Sequence, residues 1–577
     1  MSIQKLLIAN RGEIAIRIAR SAAELGIATV AVYSEDDADS RHRAVTDEAA
    51  ALPDQGPAAY LQAEAVLAAA REHHCDAIHP GYGFLSENAA FAAACEEQGF
   101  VFVGPRPEAL ALFGDKAEAR QLAQELGVPV LTGTDVRTSL EEARAFLERA
   151  DGPIMIKALA GGGGRGMQIV RSAEELESAY RRCAAEAKAA FGDEGLYVER
   201  FLAEARHIEI QILGDGGEVA HLWERECSLQ RRNQKLIEIA PSPSLSAALR
   251  DRLIDAALTL ARHVQYRGLG TFEFLIDADG SSFAFIEANP RLQVEHTVTE
   301  EITGVDLVQA QLRLAAGASL DALGLQSSAP PPLGYAMQLR VNTERMEADG
   351  SAKPSAGTLS RFELPSGPGV RVDTYGYAGY TTNPRFDSLL AKLIVSQRSA
   401  RFVDTVTRAK RALAEFRIDG IVTNLPFLQA LLERPELAEN RIHTRLIDAL
   451  APELVARLPE DEPVRALQEA EVPHGWTAVC APMQGVVVEL SAAEGDAVAA
   501  GAQLAVIEAM KMQHVVTAPV GGLVRHVAAR PGAPVDEGAP LALLEEADVA
   551  AQALADDGKI DLDTVRPDLA EVLQRHA

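Results

Sequence analysis

An apolar segment that ends in lysine and leads into glycines is the first feature of this sequence that could do chemistry. Residues 154–156 are apolar, Lys157 follows them, and glycines occupy positions 161–164 and 166. Successive glycines let backbone N–H groups approach phosphate oxygens because no Cβ stands in the way, and the lysine adds positive charge. The spacing matches neither G-x-x-x-x-G-K-S/T nor G-x-G-x-x-G, which disfavours a P-loop and a dinucleotide-binding fold. The pattern predicts a different phosphate-binding loop, with a flexible surface loop as the alternative.

Residues 287–296 concentrate carboxylates, amides, a guanidinium and an imidazole in the sequence Glu-Ala-Asn-Pro-Arg-Leu-Gln-Val-Glu-His. Glu287 lies across a predicted hairpin from Glu273, and Mg²⁺ accepts such carboxylates when it also holds phosphates. A strict two-residue turn at residues 279–280 would put the two glutamates one residue out of register. An odd-length loop or a bulge would place them opposite each other on one face. Two solvent-facing glutamates are the alternative interpretation.

The elements that position these groups fall into several regions. Short apolar runs alternate with helical stretches over residues 5–114, which predicts a parallel sheet in an α/β domain. From His207 the strands alternate apolar and polar residues, which predicts an antiparallel sheet. Residues 331–450 are predicted to be mixed α/β. Residues 451–474 contain four prolines and six acidic residues, which predicts an extended linker.

Composition excludes some classes of protein. The 577 residues carry a net charge of −28, which disfavours a nucleic-acid or anionic-membrane surface. No run of about 18 apolar residues is present, as a bilayer-spanning helix would need. The five scattered cysteines predict a reduced, cytoplasmic location rather than a disulfide framework or a zinc site. Cys227 is expected to be buried and structural.

Several long motifs carry a resemblance to a known family. Residues 8–15, 79–88, 157–166 and 285–300 resemble the motifs of biotin carboxylases, which are ATP-grasp enzymes, and this likeness covers about residues 1–450. Lys511 lies within Glu-Ala-Met-Lys-Met, between two predicted strands, where residues 475–546 resemble a biotin carboxyl carrier domain. A lipoyl domain shares that fold, but Met-Lys-Met is the biotinyl version. The whole chain resembles the α-subunit of a biotin-dependent acyl-CoA carboxylase.

The resemblance implies an α/β plus all-β fold. The expected parts are an N-terminal α/β domain (1–115), an ATP-grasp domain (116–330) with a mobile lid at about 132–204, a C-terminal mixed α/β domain (331–450), a linker (451–474), a small flattened β-barrel biotinyl domain (475–546) and a polar tail (547–577).

The resemblance also implies roles for individual residues. For the nucleotide it implies phosphate binding by Lys116, Lys157, Gly163 and Gly164, an adenine-binding hinge at Glu199, Arg200, Phe201 and Leu202, and pocket contacts from His207, Gln230 and Asn233. Metal binding is implied for Glu273, Glu287 and Asn289. For bicarbonate it implies binding by Lys235, Arg291, Gln293 and the Val294 backbone, with Glu295 as the general base; Arg340 would face biotin. The family usually has histidine at the position of Asn233 and often glutamate at that of Gln338.

The expected function is ATP- and bicarbonate-dependent carboxylation of biotin on Lys511 through carboxyphosphate, with Mg²⁺ or Mn²⁺. The expected partners are a carboxyltransferase subunit or domain, biotin protein ligase, acyl-CoA through the carboxyltransferase, and other subunits of a homo- or hetero-oligomer, without nucleic acid or membrane. Three alternatives stay open. The chain could be the N-terminal part of a longer single-chain carboxylase, a biotinylated carrier or scaffold with an inactive ATP-grasp domain, or another ATP-grasp ligase, which the carrier domain disfavours.

Overall fold

The computed structural model describes residues 3–134, 137–150, 152–159, 166–325, 330–458, 473, 475–483, 485–509, 512–531, 534–535 and 538–547. Gly163, Gly164, Lys511, the tail beyond residue 547 and most of the predicted linker lie outside the described residues. The chain divides into two compact units, Met1–Asp461 and Glu462–Ala577. Each unit is described by itself.

A five-stranded parallel sheet begins the larger unit, with strand order β3-β2-β1-β4-β5. Leu6, Leu7 and Ile8 of the central strand are wholly buried, as expected for a parallel strand covered by helices on both faces. The predicted α/β alternation is therefore confirmed. Its elements are β1 (Lys5–Ile8), α1 (Gly12–Glu24), β2 (Ala28–Tyr33), β3 (Glu48–Ala51), α2 (Gly56–Ala59), α3 (Ala63–Glu72), β4 (Ala77–His79), α4 (Ala89–Glu97), β5 (Val101–Phe102), α5 (Pro107–Gly114) and α6 (Lys116–Glu125).

A small three-stranded sheet follows, with order β7-β6-β8 and two helices packed against it. Ile154 and Ile156 are buried in its core, so the alternation of the strand turns Lys157 to the opposite face. The elements are α7 (Leu140–Arg149), β6 (Ile154–Ala158), β7 (Met167–Val170), α8 (Ala173–Phe191) and β8 (Leu196–Arg200).

An eight-stranded antiparallel sheet is the largest element of the fold, with order β13-β12-β9-β10-β11-β14-β19-β18. Ile208, Ile210 and Ile212 of β9 are buried in one core, so the period of two directs His207 and Glu209 to the other face. The sheet crosses residue 330, where the sequence predicts a domain boundary. Its first part comprises β9 (Arg206–Asp215), β10 (Val219–Arg231), β11 (Gln234–Ala240), α9 (Ala247–His263), β12 (Arg267–Ile276), β13 (Phe283–Asn289), α10 (His296–Thr303) and α11 (Leu307–Ala315).

The remainder of the larger unit adds strands to this sheet and helices behind it. The predicted linker begins too early, because a helix continues past residue 451: Ala451 and Leu454 are buried, and their packing keeps Pro452 helical. The elements are β14 (Tyr335–Asn342), β15 (Glu344–Met346), β16 (Ala352–Pro354), β17 (Arg361–Glu363), β18 (Val370–Thr374), β19 (Leu389–Gln397), α12 (Phe402–Glu415), β20 (Arg417–Asp419), α13 (Leu425–Leu432), α14 (Pro435–Ala438) and α15 (Leu446–Val455).

The smaller unit contains two four-stranded antiparallel sheets, with orders β21-β28-β26-β23 and β25-β24-β22-β27. Val487, Ile507 and Leu544 are wholly buried in their shared core. Strands β24 and β25, whose ranges are given below, pair directly up to Ala509 and Met512. The strands are β21 (Trp476–Cys480), β22 (Gly485–Leu490), β23 (Ala497–Val498), β24 (Gln503–Ala509), β25 (Met512–Thr517), β26 (Gly522–Val527), β27 (Pro534–Val535) and β28 (Pro540–Glu546).

Arg225 of β10 supports the large sheet from within. Its wholly buried guanidinium pairs with Glu209 and donates to Gln211 (2.7 Å), Thr299 (2.9 Å) and Gln293 (3.0 Å). Breaking such a buried ionic network by removing one partner destabilises a protein by about 3–5 kcal/mol. We expect Arg225→Met to lower clearly the urea midpoint of the Trp223 fluorescence transition, measured in a Trp476→Phe background because Trp476 of the smaller unit also fluoresces.

Arg232→Met is the matched control, because Arg232 is exposed and pairs with the exposed Asp349. Its urea midpoint should stay close to that of the unmodified chain. Equal midpoints for the two variants would show that Arg225 does not support the sheet.

Candidate active site

One cleft of about 940 Å³ collects the predicted site residues of the larger unit. Every predicted residue that the structure describes lines it. These are Lys116, Lys157, Glu199, Arg200, Phe201, Leu202, His207, Gln230, Asn233, Lys235, Glu273, Glu287, Asn289, Arg291, Gln293, Val294, Glu295 and Arg340. Residues far apart in sequence therefore share one space, whereas their individual roles stay predictions.

The Lys235 ammonium lies at the centre of a cluster of three carboxylates. Its Nζ is 2.6 Å from Glu295 Oε1, 2.7 Å from Glu209 Oε2 and 3.1 Å from Glu273 Oε1. Burial alone would lower the pKa of this ammonium, but the three carboxylates hold it well above its ordinary range. Lys235 is therefore charged in the free protein. Its ammonium neutralises acidic groups that would otherwise repel one another.

Glu295 lies between two cations. Its Oε1 contacts Lys235, and its Oε2 accepts a hydrogen bond of 3.0 Å from the Arg340 guanidinium. Burial opposes ionisation, but Lys235 and Arg340 outweigh it and hold the pKa of the Glu295 carboxyl well below its ordinary value. The buried Glu238 accepts from the other side of Arg340, with Nε–Oε1 at 2.6 Å. Arg340 is thus fixed between two carboxylates at the wall of the cleft.

A β-bulge brings Glu273 and Glu287 together. The two residues are direct partners across β12 and β13, whereas the next pair is Phe274 with Phe285, so Ile286 is an extra residue. This is one of the two geometries that the sequence left open.

The arrangement of carboxylates fits a divalent cation. Glu287 Oε2 lies 3.0 Å from the Lys116 ammonium, which lowers the pKa of the Glu287 carboxyl. Glu273 Oε2 lies 2.7 Å from His207 Nε2, and its Oε1 accepts from Asn289 Nδ2 at 2.8 Å. Carboxylate oxygens that already attract cations, beside an amide, are the hard ligands that Mg²⁺ prefers. Asn289 contacts Glu273 through its amide nitrogen. Its Oδ1 accepts a hydrogen bond from Arg291 at 3.0 Å.

The two lysines among the phosphate-binding candidates are both paired with acids. Lys116 contacts Glu287, and Lys157 Nζ lies 2.5 Å from Glu199 Oε1 on the adjacent strand β8. Burial would lower the pKa of Lys157, but Glu199 raises it above its ordinary value. Both ammonium groups are consequently charged and face the cleft, as binding of phosphate requires.

Asn233 occupies the second position of a two-residue hairpin turn between β10 and β11. The backbone φ angles are 43° at Arg232 and 66° at Asn233, and the flanking pair is Arg231 with Gln234. Asparagine tolerates this left-handed conformation, which two-residue hairpins favour. The turn explains why asparagine is accommodated at position 233. The Asn233 side chain lines the cleft.

Three acidic residues of the site were missed in the sequence analysis. Glu209 contacts Lys235, Glu238 contacts Arg340, and Glu87 pairs with Arg291. A signal for Glu209 existed, because it shares a strand face with His207 in the alternating segment 207–212. Glu238 and Glu87 are identified only by their contacts. Cys227 is buried, as expected, and burial raises the pKa of its thiol well above its ordinary value.

Four family models match the chain in succession. Residues 2–110 match the biotin carboxylase N-terminal domain, 115–323 the carbamoyl-phosphate synthase L chain ATP-binding domain, 338–449 the biotin carboxylase C-terminal domain, and 477–544 a domain described as biotin-requiring enzyme. A solved structure described as the biotin carboxylase domain of a single-chain bacterial carboxylase is 50% identical, with a TM-score of 0.71. That alignment covers 78% of this chain and 98% of the other. This chain belongs to the biotin-dependent carboxylases.

Other relatives extend the comparison. A single-chain, multi-domain long-chain acyl-CoA carboxylase is 43% identical with a TM-score of 0.71, covering 100% of this chain and 52% of the other. The biotin carboxylase domain of a 2-oxoglutarate carboxylase from Hydrogenobacter thermophilus, solved with MgADP, ADP and bicarbonate, is 41% identical with a TM-score of 0.74, covering 79% of this chain and 99% of the other. Pyruvate carboxylase 1 of Caenorhabditis elegans is 48% identical over 449 residues, which are 77% of this chain and 38% of that protein.

These findings confirm the predicted fold class and, for the family, the predicted biotin, ATP, Mg²⁺ and bicarbonate. The chain spans well under half the length of the curated pyruvate carboxylases that it matches. In the part of this biotin-dependent carboxylase that the structure describes, none of the helices has the length and apolar character to cross a bilayer.

Glu287→Gln tests the metal site of this carboxylase. A neutral amide is a weaker ligand than a carboxylate, so the Mg²⁺ concentration for half-maximal ADP release should rise by about 10-fold or more. ADP release is measured across a Mg²⁺ titration at saturating ATP. Glu363→Gln, an exposed glutamate paired with Arg361, is the control and should leave the titration unchanged. An unaltered Mg²⁺ dependence in Glu287→Gln would remove Glu287 from the metal site.

Proposed function

We propose that the chain carboxylates biotin on Lys511 of its own carrier domain, using ATP and bicarbonate through carboxyphosphate, as the first half-reaction of an acyl-CoA carboxylase. The position of Glu295 carries this proposal. Its two oxygens contact Lys235 and Arg340 in the same cleft as Lys116 and Lys157. A base, the two cations that contact it and two phosphate-binding cations therefore meet in one place.

Lys116 and Lys157 bind the ATP phosphates in this mechanism. Each ammonium exchanges a carboxylate, Glu287 or Glu199, for phosphate oxygens, so neither charge is left unpaired when ATP arrives. Glu273 and Glu287 hold Mg²⁺, which offsets phosphate charge when bound. Release of Glu287 from Lys116 makes the same carboxylate available for the metal, so nucleotide and metal binding support each other.

Glu295 takes the proton of bicarbonate while a bicarbonate oxygen attacks the γ-phosphorus, giving carboxyphosphate and ADP. Arg291 binds the planar anion, because its guanidinium can donate two parallel hydrogen bonds. A base with a depressed pKa accepts protons poorly. Bicarbonate, as an anion, draws Lys235 towards itself, and a weaker contact with this ammonium returns the pKa of Glu295 towards its ordinary value.

Arg340 acts in the second step. Biotin, when bound, would supply the ureido nitrogen that takes the carboxyl group. The new N–C bond would form as the C–O bond of carboxyphosphate breaks, and the phosphate released would take the N–H proton. Arg340 donates to the oxygen on which negative charge develops, as a preorganised donor does in an oxyanion hole. Glu238 holds the guanidinium from behind, so that Arg340 needs little reorganisation when the carrier arrives.

A whole-chain alignment favours an acyl-CoA as the final acceptor. The solved long-chain acyl-CoA carboxylase aligns with 100% of this chain at 43% identity, whereas a solved pyruvate carboxylase from Rhizobium etli aligns with 81% of it at 39% identity. A carboxyltransferase subunit or domain then completes the reaction, and biotin protein ligase supplies the biotin. Pyruvate as acceptor is the second candidate, because curated relatives carry that name. The cytoplasmic location stays a prediction from the cysteines.

Glu295→Gln and Arg340→Ala separate the two steps. Glu295→Gln should reduce bicarbonate-dependent ADP release and carboxybiotin formation together by about 10²–10⁴-fold, the range for a lost general base. Arg340→Ala should reduce carboxybiotin formation while appreciable bicarbonate-dependent ADP release persists, because carboxyphosphate still forms and decays. Both products are measured on the same samples.

Arg361→Ala, a change at an exposed arginine outside the cleft, is the control for this pair. A proportional loss of both products in Arg340→Ala would contradict the separate roles. Full activity in Glu295→Gln would contradict the mechanism. A protein without any bicarbonate-dependent ADP release would agree instead with the carrier or scaffold alternative.

Lys511→Arg tests the site of biotin attachment. Coexpression with a biotin ligase should add one biotin to the unmodified chain and none to the variant, because arginine keeps the charge but lacks the acceptor amine. Intact-mass measurement and avidin binding report the difference, and Lys410→Arg serves as the control. Equal avidin binding by the unmodified chain and Lys511→Arg would exclude Lys511.

A further inference from the structure

Lys392 is a buried charge to which no role has been given above. It lies in the middle of β19, and its side chain is wholly buried. Lysine is almost never fully buried unless it is paired. The contacts of the Lys392 ammonium therefore indicate the role of this buried charge.

The Lys392 ammonium joins three segments of the larger unit. Its Nζ lies 3.0 Å from Glu13 Oε2 in α1 and 3.8 Å from Asp373 Oδ2 in β18, and it donates to the Val294 backbone oxygen at 3.1 Å. Asp373 is also paired with Arg371 at 2.8 Å. Glu13 is consequently the nearer and less shared counter-charge of Lys392.

The Val294 carbonyl belongs to the same peptide unit as the Glu295 N–H. Residues 290–295 lie between β13 and α10 and belong to neither a helix nor a strand. One long backbone hydrogen bond, from the His296 N–H to the Gln293 oxygen at 3.3 Å, spans the Val294–Glu295 peptide, and the Lys392 ammonium adds a hydrogen bond to the oxygen of that peptide itself. The Lys392 contact orients the peptide that leads directly into Glu295.

We propose that Lys392 is a positioning residue for bicarbonate: it fixes the Val294–Glu295 peptide and thereby the backbone and the carboxylate that meet the anion. The inference rests on the proposed function of this cleft. Loss of the Lys392 contact frees the peptide to rotate, and Glu295 then no longer lies at once 2.6 Å from Lys235 and 3.0 Å from Arg340. Lys116 and Lys157 do not contact this peptide, so ATP binding is expected to be independent of it.

The test removes the ammonium without leaving a buried charge unpaired. In the double variant Lys392→Met/Glu13→Gln both members of the pair are neutral and similar in size, a replacement that buried ion pairs often tolerate. Bicarbonate-dependent ADP release by the full chain gives KM for bicarbonate and for ATP separately. We expect KM for bicarbonate to rise by about 10-fold or more, as a small misplacement of a reacting group can cause. KM for ATP should change by less than about two-fold.

Lys410→Met/Glu433→Gln applies the same chemistry to a more exposed pair, in which Nζ and Oε2 are 2.9 Å apart. Both KM values of this control should match those of the unmodified chain. Lys392→Gln/Glu13→Gln is a second test variant, whose shorter amide cannot reach the carbonyl as the ammonium does. It should show the same rise for bicarbonate alone.

An unchanged KM for bicarbonate in either folded test variant would overturn the proposal, and so would a parallel rise in KM for ATP. Failure of both variants to fold would also overturn it, because Lys392 would then be a residue of the fold and not of the site. The absence of bicarbonate-dependent ADP release in the unmodified chain would refute the proposed function instead.

Discussion

The ammonium of Lys235 is the charge on which the rest of the cleft depends. Glu209 comes from β9, Glu273 from β12 and Glu295 from the stretch before α10, and all three carboxylates lie within 3.1 Å of one Nζ atom. Without that ammonium, three buried carboxylates would repel one another and at least one would take up a proton. The lysine therefore fixes three segments of backbone and keeps Glu295 ionised at the same time.

The other cations of the cleft are also neutralised by carboxylates of the protein itself. Lys116 pairs with Glu287, Lys157 with Glu199, and Arg291 with Glu87. An anionic substrate consequently exchanges one anionic partner for another and does not have to strip water from a bare cation. Their pairing with carboxylates keeps these cations desolvated and oriented before the substrate arrives. Electrostatic catalysis requires such preorganised charges.

Much of the fold could be predicted from the sequence because its periodicities are clear. The alternation in residues 208–213 predicted the antiparallel sheet. The register of Glu273 and Glu287 could not be decided, because the bulge at Ile286 depends on packing of Phe274 and Phe285 on both sides of it. The end of α15 was also missed, since buried contacts of Leu454 override the local preference of Pro452. Glu87 lies in the motif at residues 79–88 and Glu238 lies in none, but no sequence signal made either of them a partner of arginine, because only tertiary contacts bring these pairs together.

The continuity of the eight-stranded sheet limits how this protein can be dissected. β11 carries Lys235, and its hydrogen-bonded neighbour β14, which follows α11, carries Arg340. A cut between α11 and β14 would leave the edge of β11 open, and an open edge pairs readily with other chains. The smaller unit has its own core and can in principle be exchanged among related proteins as a module. The large sheet cannot be exchanged in this way, because Lys235 and Arg340, the two cations that contact Glu295, come from opposite sides of any such cut.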